Sequence, residues 1–105
     1  MTDCIFCKIV KGEIPASKVY EDDAILAFDD IHPMAPVHVI LITKEHIATL
    51  MDVDVNHTDV MGQLIAAVQK VAQIKKVAAG GFRTVVNCNP DGGQVVFHQI
   101  GRAHV

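Results

Sequence analysis

Five groups of residues in this chain have types and spacings that could do chemistry. Cys4 and Cys7 form a Cys-x-x-Cys pair near the N-terminus. With two imidazoles from elsewhere, such thiolates make a closed tetrahedral zinc site. A thioredoxin-like redox pair is a competing reading, disfavoured by the missing leading strand and by the bulky Ile5-Phe6 between the sulfurs. The plainest reading is two buried, inert thiols. His98 lies in a β-rich run, where positions 98, 100 and 102 share one face. Three histidines there would line up three imidazoles over one phosphate-sized spot. This chain has His98, Ile100 and Arg102, and a single strand histidine is more often a hydrogen-bonded core residue. The stretch "NPDGGQ" offers glycines that let backbone N–H groups approach an anion, or simply a hairpin turn. Asp29-Asp30, after a strand ending at Phe28, could accept both hydroxyls of a ribose or sit in a solvated turn. Phe6, Ile9, Phe28 and Ile31 could enclose a flat base, or could be core.

The elements that must position these residues follow from pattern. Asp3 is expected to cap a short helix carrying Ile5, Phe6, Ile9 and Val10, ended by Gly12 and Pro15. Two β-rich runs, Lys18–Tyr20 and Ala24–Phe28, flank the acidic turn "EDD" and predict a hairpin. "DDIHPMAP" is a Pro-punctuated loop, and "VHVILIT" is apolar and β-branched enough for a buried strand. From Asn56 or Thr58, the residues Val60, Leu64, Val68, Val71 and Ala72 mark one face of a long helix expected to stop at Gly80-Gly81. "FRTVVNCN" and "QVVFHQI" around "PDGG" predict a second hairpin. The expected fold class is α+β: a mainly antiparallel sheet of about five strands with a short N-terminal helix and one long helix.

At 105 residues, half of them apolar, the chain has material for one hydrophobic core. A net charge of −3, with no Lys/Arg-rich run, argues against a nucleic-acid binder, which needs a basic face to displace counterions. No apolar segment reaches membrane-spanning length. "MTDCIFCKIV" carries an acid ahead of a short apolar run and does not read as a signal peptide. Three cysteines make no even disulfide framework, so a cytoplasmic protein with reduced thiols is expected.

Taken in order, "CIFCKIVKGEIP", "VYEDDAILAFDDIHPMAPVHVILITKEH" and "NPDGGQVVFH" resemble the histidine triad (HIT) family, specifically its small Hint-like nucleotide-binding branch, over nearly the whole chain. The resemblance implies a homodimer of α+β protomers that binds a purine nucleotide such as AMP or GMP. Carried over by position, Ile5, Phe6, Ile9, Phe28 and Ile31 would enclose the base, and Asp30 would hold the ribose hydroxyls. Asn87, Gly93, Gln94, the backbone of Val95 and His98 would approach the phosphate, although a small hydroxyl residue or threonine is common where Val95 stands. The zinc ligands of zinc-bearing members fall on Cys4, Cys7, His46 and His98, a structural zinc. His38 matches a further recurring histidine, expected to be structural.

The chemistry implied is nucleotidyl transfer to water, in which the middle histidine of His-x-His-x-His attacks the α-phosphorus. Here the first triad histidine is His98, but Ile100 occupies the nucleophile's position and has no lone pair. Residues 1–98 therefore read as the HIT domain, and residues 99–105 as a non-native tail replacing the rest of the triad strand. Back-translation of "QIGRAHV" allows CAG-ATC-GGA-AGA-GCA-CAC-GTC, which from its second base matches a widely used short-read sequencing adapter whose next triplet is a stop codon. Losing the rest of the strand is expected to remove backbone pairing from the sheet centre. Two functions follow: a nucleoside phosphoramidase or nucleotidyl hydrolase, inactive as written, or a non-catalytic nucleotide- and zinc-binding regulatory module.

Overall fold

The computed structural model describes residues 4–33, 35–94 and 100–104, the last group as a backbone path. Helix α1 spans Ile5–Val10, followed by strands β1 (Lys18–Glu21), β2 (Ile25–Asp29) and β3 (His38–Thr43), helix α2 (Thr58–Ile74), and strands β4 (Arg83–Val85) and β5 (Ile100–His104). The strands form one antiparallel sheet in the order β1-β2-β3-β5-β4. This is the α+β architecture expected from the sequence.

The near-continuous apolar runs of β2 and β3 arise because both sheet faces are covered. Ile25, Ala27, Val39 and Leu41 pack with Leu64, Ala67, Val68 and Val71 of α2. The alternate residues Leu26, Phe28, Ile40 and Ile42 pack with Phe6 and Ile9 of α1. Successive strand side chains point to opposite faces, so each strand feeds two cores. The "EDD" turn closes the β1–β2 hairpin, with Lys18 opposite Phe28 and Glu21 opposite Leu26.

Three sequence expectations are corrected. The N-cap of α1 is Cys4, whose Sγ accepts a hydrogen bond from Cys7 N at 3.3 Å; Asp3, the expected cap, lies outside the described residues. Helix α2 ends at Ile74, well before Gly80-Gly81. Val77 N donates to Ala72 O and Lys76 N to Gln73 O, the paired bonds that close a helix end through a left-handed residue. That residue is Lys76, at φ 62°, so no glycine advertised the stop.

The third correction concerns the end of the sheet, where the expected loss of pairing does not occur. Strand β5 pairs with both neighbours, Ile100 with Ile42 and Arg102 with Ile40 on one side, and Arg102 with Val85 on the other. Ladder hydrogen bonds are made by the backbone and tolerate many side chains. The exposed edge of β3 is thereby satisfied whatever the identities at 100 and 102. "PDGG" does turn, as Pro90–Gly92 in a single 3-10 turn.

Candidate functional site

The first cluster is made of sulfur and nitrogen. Cys4 and Cys7 are carried by the start of α1, and His46 by the loop after β3. Their donor atoms lie within 4.8 Å of one another, with Cys7 Sγ 3.1 Å from His46 Nδ1. Thr43, fully buried, helps shape that loop by donating from Oγ1 to Glu45 O at 2.7 Å. Burial pushes the Cys7 thiol up, and its hydrogen bond with Cys4 and the proximity of that second sulfur add to the effect, against the opposing charge of Lys11. Two soft sulfurs and one imidazole within this span fit zinc by donor type and by convergence. The fourth expected ligand, His98, lies outside the described residues.

The second cluster is apolar and shares α1 with the first. Phe6, Ile9 and Phe28 are buried in the core on the α1 side of the sheet, against which Cys4 also packs. The Phe6 and Phe28 rings meet edge to face, centroids 5.8 Å apart and planes at 66°, a favourable aromatic geometry. Ile5 and Ile31, the other two apolar residues assigned to the base, are 45% and 85% exposed. Three of the five are therefore core residues on the α1 side of the sheet, and two are exposed among the described residues.

Asp30 follows Phe28 by two residues. Its Oδ1 accepts from His32 N at 2.8 Å, its Oδ2 lies 3.5 Å from Nε2 of the buried His38, and its N–H donates to His38 O at 3.0 Å. The carboxylate is thus held between the loop and β3. Its neighbour Asp29 behaves differently, its Oδ1 lying 2.7 Å from Nζ of Lys75 at the end of α2.

The glycine-rich turn supplies the third part. Gly93 has φ +85°, and a Cβ built there would meet Asn87 Nδ2 at only 3.8 Å; the need for glycine is conformational rather than steric. Asn87 and Gly93 are therefore neighbours. Gln94 is buried and its side chain is engaged: Oε1 accepts from Asn89 N and Nε2 donates to Ala48 O, each at 2.7 Å. Gln94 thus ties this turn to the loop that carries His46. Val95 and His98 lie outside the described residues. Pattern reading missed the Lys75 and Ala48 contacts, since each joins residues far apart in the chain.

A HIT domain model matches residues 11–99. The chain belongs to the HIT family. It is 41% identical over 96 residues to the purine nucleoside phosphoramidase of Escherichia coli (strain K12), covering 91% of this chain and 81% of that protein. It is 43% identical over 98 residues to the 14 kDa zinc-binding protein of Brassica juncea, covering 91% of this chain and 86% of that protein. A HIT family hydrolase from Legionella pneumophila Philadelphia 1 superposes with a TM-score of 0.95 at 43% identity, covering 98% of this chain and 92% of that one. Among the described residues, no helix of this HIT protein is long and apolar enough to cross a membrane.

Proposed function

We propose that this HIT protein binds a purine nucleoside monophosphate, and that a version with a complete triad hydrolyses nucleotidyl compounds such as phosphoramidates. The observation that carries the reading is the placement of the Asp30 carboxylate, two residues beyond Phe28, next to the α1-side cluster of Phe6, Ile9 and Phe28. A purine would lie beside this cluster with Ile5 and Ile31 at its edges, and Asp30 would accept the ribose hydroxyls. Asn87 and the backbone around Gly93 would face the phosphate, together with Val95 and His98. The E. coli relative's name supports this substrate class.

The chemistry by family resemblance is a two-step displacement. An imidazole nitrogen at position 100 attacks the α-phosphorus, the P–N bond to the leaving amine breaks, and the amine departs with a proton. Water then attacks phosphorus, the bond to the imidazole breaks, and the nucleoside monophosphate leaves. Neutral imidazole suits the role near pH 7. Ile100 cannot form that bond, so the chain as written is proposed to bind without turnover. Zinc at Cys4, Cys7 and His46, with His98 as the fourth ligand, would hold α1 in place and take no part in the displacement.

The test compares this chain with a version carrying Ile100→His and Arg102→His, each incubated with an adenosine phosphoramidate. AMP release by the restored version alone supports the hydrolase reading. A second reading, a non-catalytic nucleotide- and zinc-binding regulatory module, is favoured by Ile100; AMP binding with no turnover by either version would establish it.

On the same resemblance the protein is proposed to be a cytoplasmic homodimer, which sedimentation would test. Residues 99–105 are proposed to be translated sequencing adapter. Resequencing the locus from genomic DNA decides the matter: finding CAGATCGGAAGAGC in the chromosome would sink that account.

A further inference from the structure

Asp29 and Asp30 are adjacent carboxylates, and only their surroundings distinguish them. Strand alternation sends them to opposite sides. Phe28 belongs to the α1-side core, and Asp30 meets His38 and the His32 N–H beyond it. Asp29 instead reaches Lys75 on α2, the helix covering the other face, with Nζ 2.7 Å from Oδ1. The Asp29 backbone is pinned as well, its N–H donating to Ser17 O at 3.0 Å. Lys75 is the C-cap residue of α2, where a cation also suits the helix dipole.

We propose that Lys75 is a positioning and specificity residue for the ribose: by drawing Asp29 to the α2 side and neutralising it, Lys75 presents Asp30 alone to the cis-diol of a nucleoside monophosphate. This rests on the reading of Asp30 as the ribose-holding carboxylate. Without the ion pair, Asp29 is an uncompensated charge one residue from Asp30, and its repulsion on the neighbouring carboxylate disturbs the acceptor that the diol meets. The pair is partly exposed, with side chains 29% and 40% accessible, so its influence is modest, as for surface ion pairs generally.

The test measures binding of AMP and of 2′,3′-dideoxy-AMP to the whole chain and to Lys75→Gln, Lys75→Arg and Asp30→Ala variants, each checked for folding by thermal melt. Lys75→Gln is expected to weaken AMP binding about three- to fivefold with little change for the dideoxy nucleotide, narrowing the preference for the diol, and Lys75→Arg to restore it. A preference unchanged in Lys75→Gln, or an equal loss for both nucleotides, overturns the proposal. Asp30→Ala separates the two levels. If it abolishes the diol preference while Lys75→Gln does not, the role of Lys75 alone has failed. If Asp30→Ala leaves the preference intact, the ribose reading of Asp30 has failed and takes the proposal with it.

Discussion

Cys7 Sγ stands 3.1 Å from His46 Nδ1, linking a six-residue helix to the loop that leaves the central strand β3. Helix α1 is too short to persist by itself; it is held by packing of Phe6 and Ile9 and by this contact. A zinc ion bridging the same donors would fasten α1 to the sheet. Zinc supplied at about a hundredfold excess over its Kd should stabilise the fold by about 2.7 kcal/mol, raising Tm by about 10 °C or more for a domain of this size. Cys7→Ser should abolish the rise, and elemental analysis should find zinc in the parent chain only. An unchanged Tm on adding zinc, or the same rise in Cys7→Ser, would count against a zinc site here.

Ile31 lets the base-site reading be tested apart from the core. At 85% exposure it contributes little to folding, so Ile31→Ser should leave stability within about 0.5 kcal/mol. If its side chain covers one edge of a bound purine, the same substitution should weaken AMP binding about fivefold through lost apolar burial. Calorimetric titration beside a urea melt reads both quantities, and unaltered AMP affinity would remove Ile31 from the base site.

Much of this fold was legible because period and composition agreed: the β1–β2 hairpin, the two-faced burial of β3 and the apolar stripe of α2 all follow from spacing. In the sulfur and nitrogen cluster the spacing of Cys4 and Cys7 was legible, but His46 only by resemblance, since nothing local joins it to them. What escaped reading was made by atoms that leave no pattern. A thiol, not an aspartate, caps α1; a lysine takes the left-handed turn after α2; and the side chains of Lys75 and Gln94 reach across elements to Asp29 and Ala48. The pairing of β5 escaped for a different reason: a ladder of backbone bonds accepts residues that a catalytic strand would not.

Lys76 carries a conformational cost that can be recovered. A non-glycine residue at φ 62° bears steric strain that glycine lacks, and among the described residues Lys76 forms no ion pair that its removal would break. Lys76→Gly should therefore stabilise the chain by up to about 1 kcal/mol, offset in part by the greater freedom of glycine in the unfolded state. The midpoint of urea unfolding should rise with no change in slope. A fall in that midpoint would show that Lys76 makes a contact worth more than the strain.

Asp22 should make the β1–β2 turn sensitive to acid. Its Oδ1 accepts from Ala24 N and Ile25 N, and its Oδ2 from Tyr20 Oη, all at 2.8 Å. Burial pushes this carboxyl up, but the bonds from Ala24, Tyr20 and Ile25 and the charge of Lys44 outweigh it and leave Asp22 below its ordinary value. The same bond, chiefly, pushes the Tyr20 phenol up. A lowered carboxylate stabilises the fold above its unfolded value and ceases to do so as pH falls through the folded value, so this contribution disappears below about pH 4. A raised phenol acts in the opposite sense: its contribution is complete below about pH 10 and is lost as pH rises through the folded value. Tyr20→Phe keeps the ring in its place against the α2-side core and deletes the bond. It should lower the urea midpoint at neutral pH, with the difference from the parent shrinking toward both extremes. Urea midpoints measured from pH 3 to pH 11 would show this convergence, and a difference independent of pH would mean that the hydroxyl acts through packing rather than through its bond to Asp22.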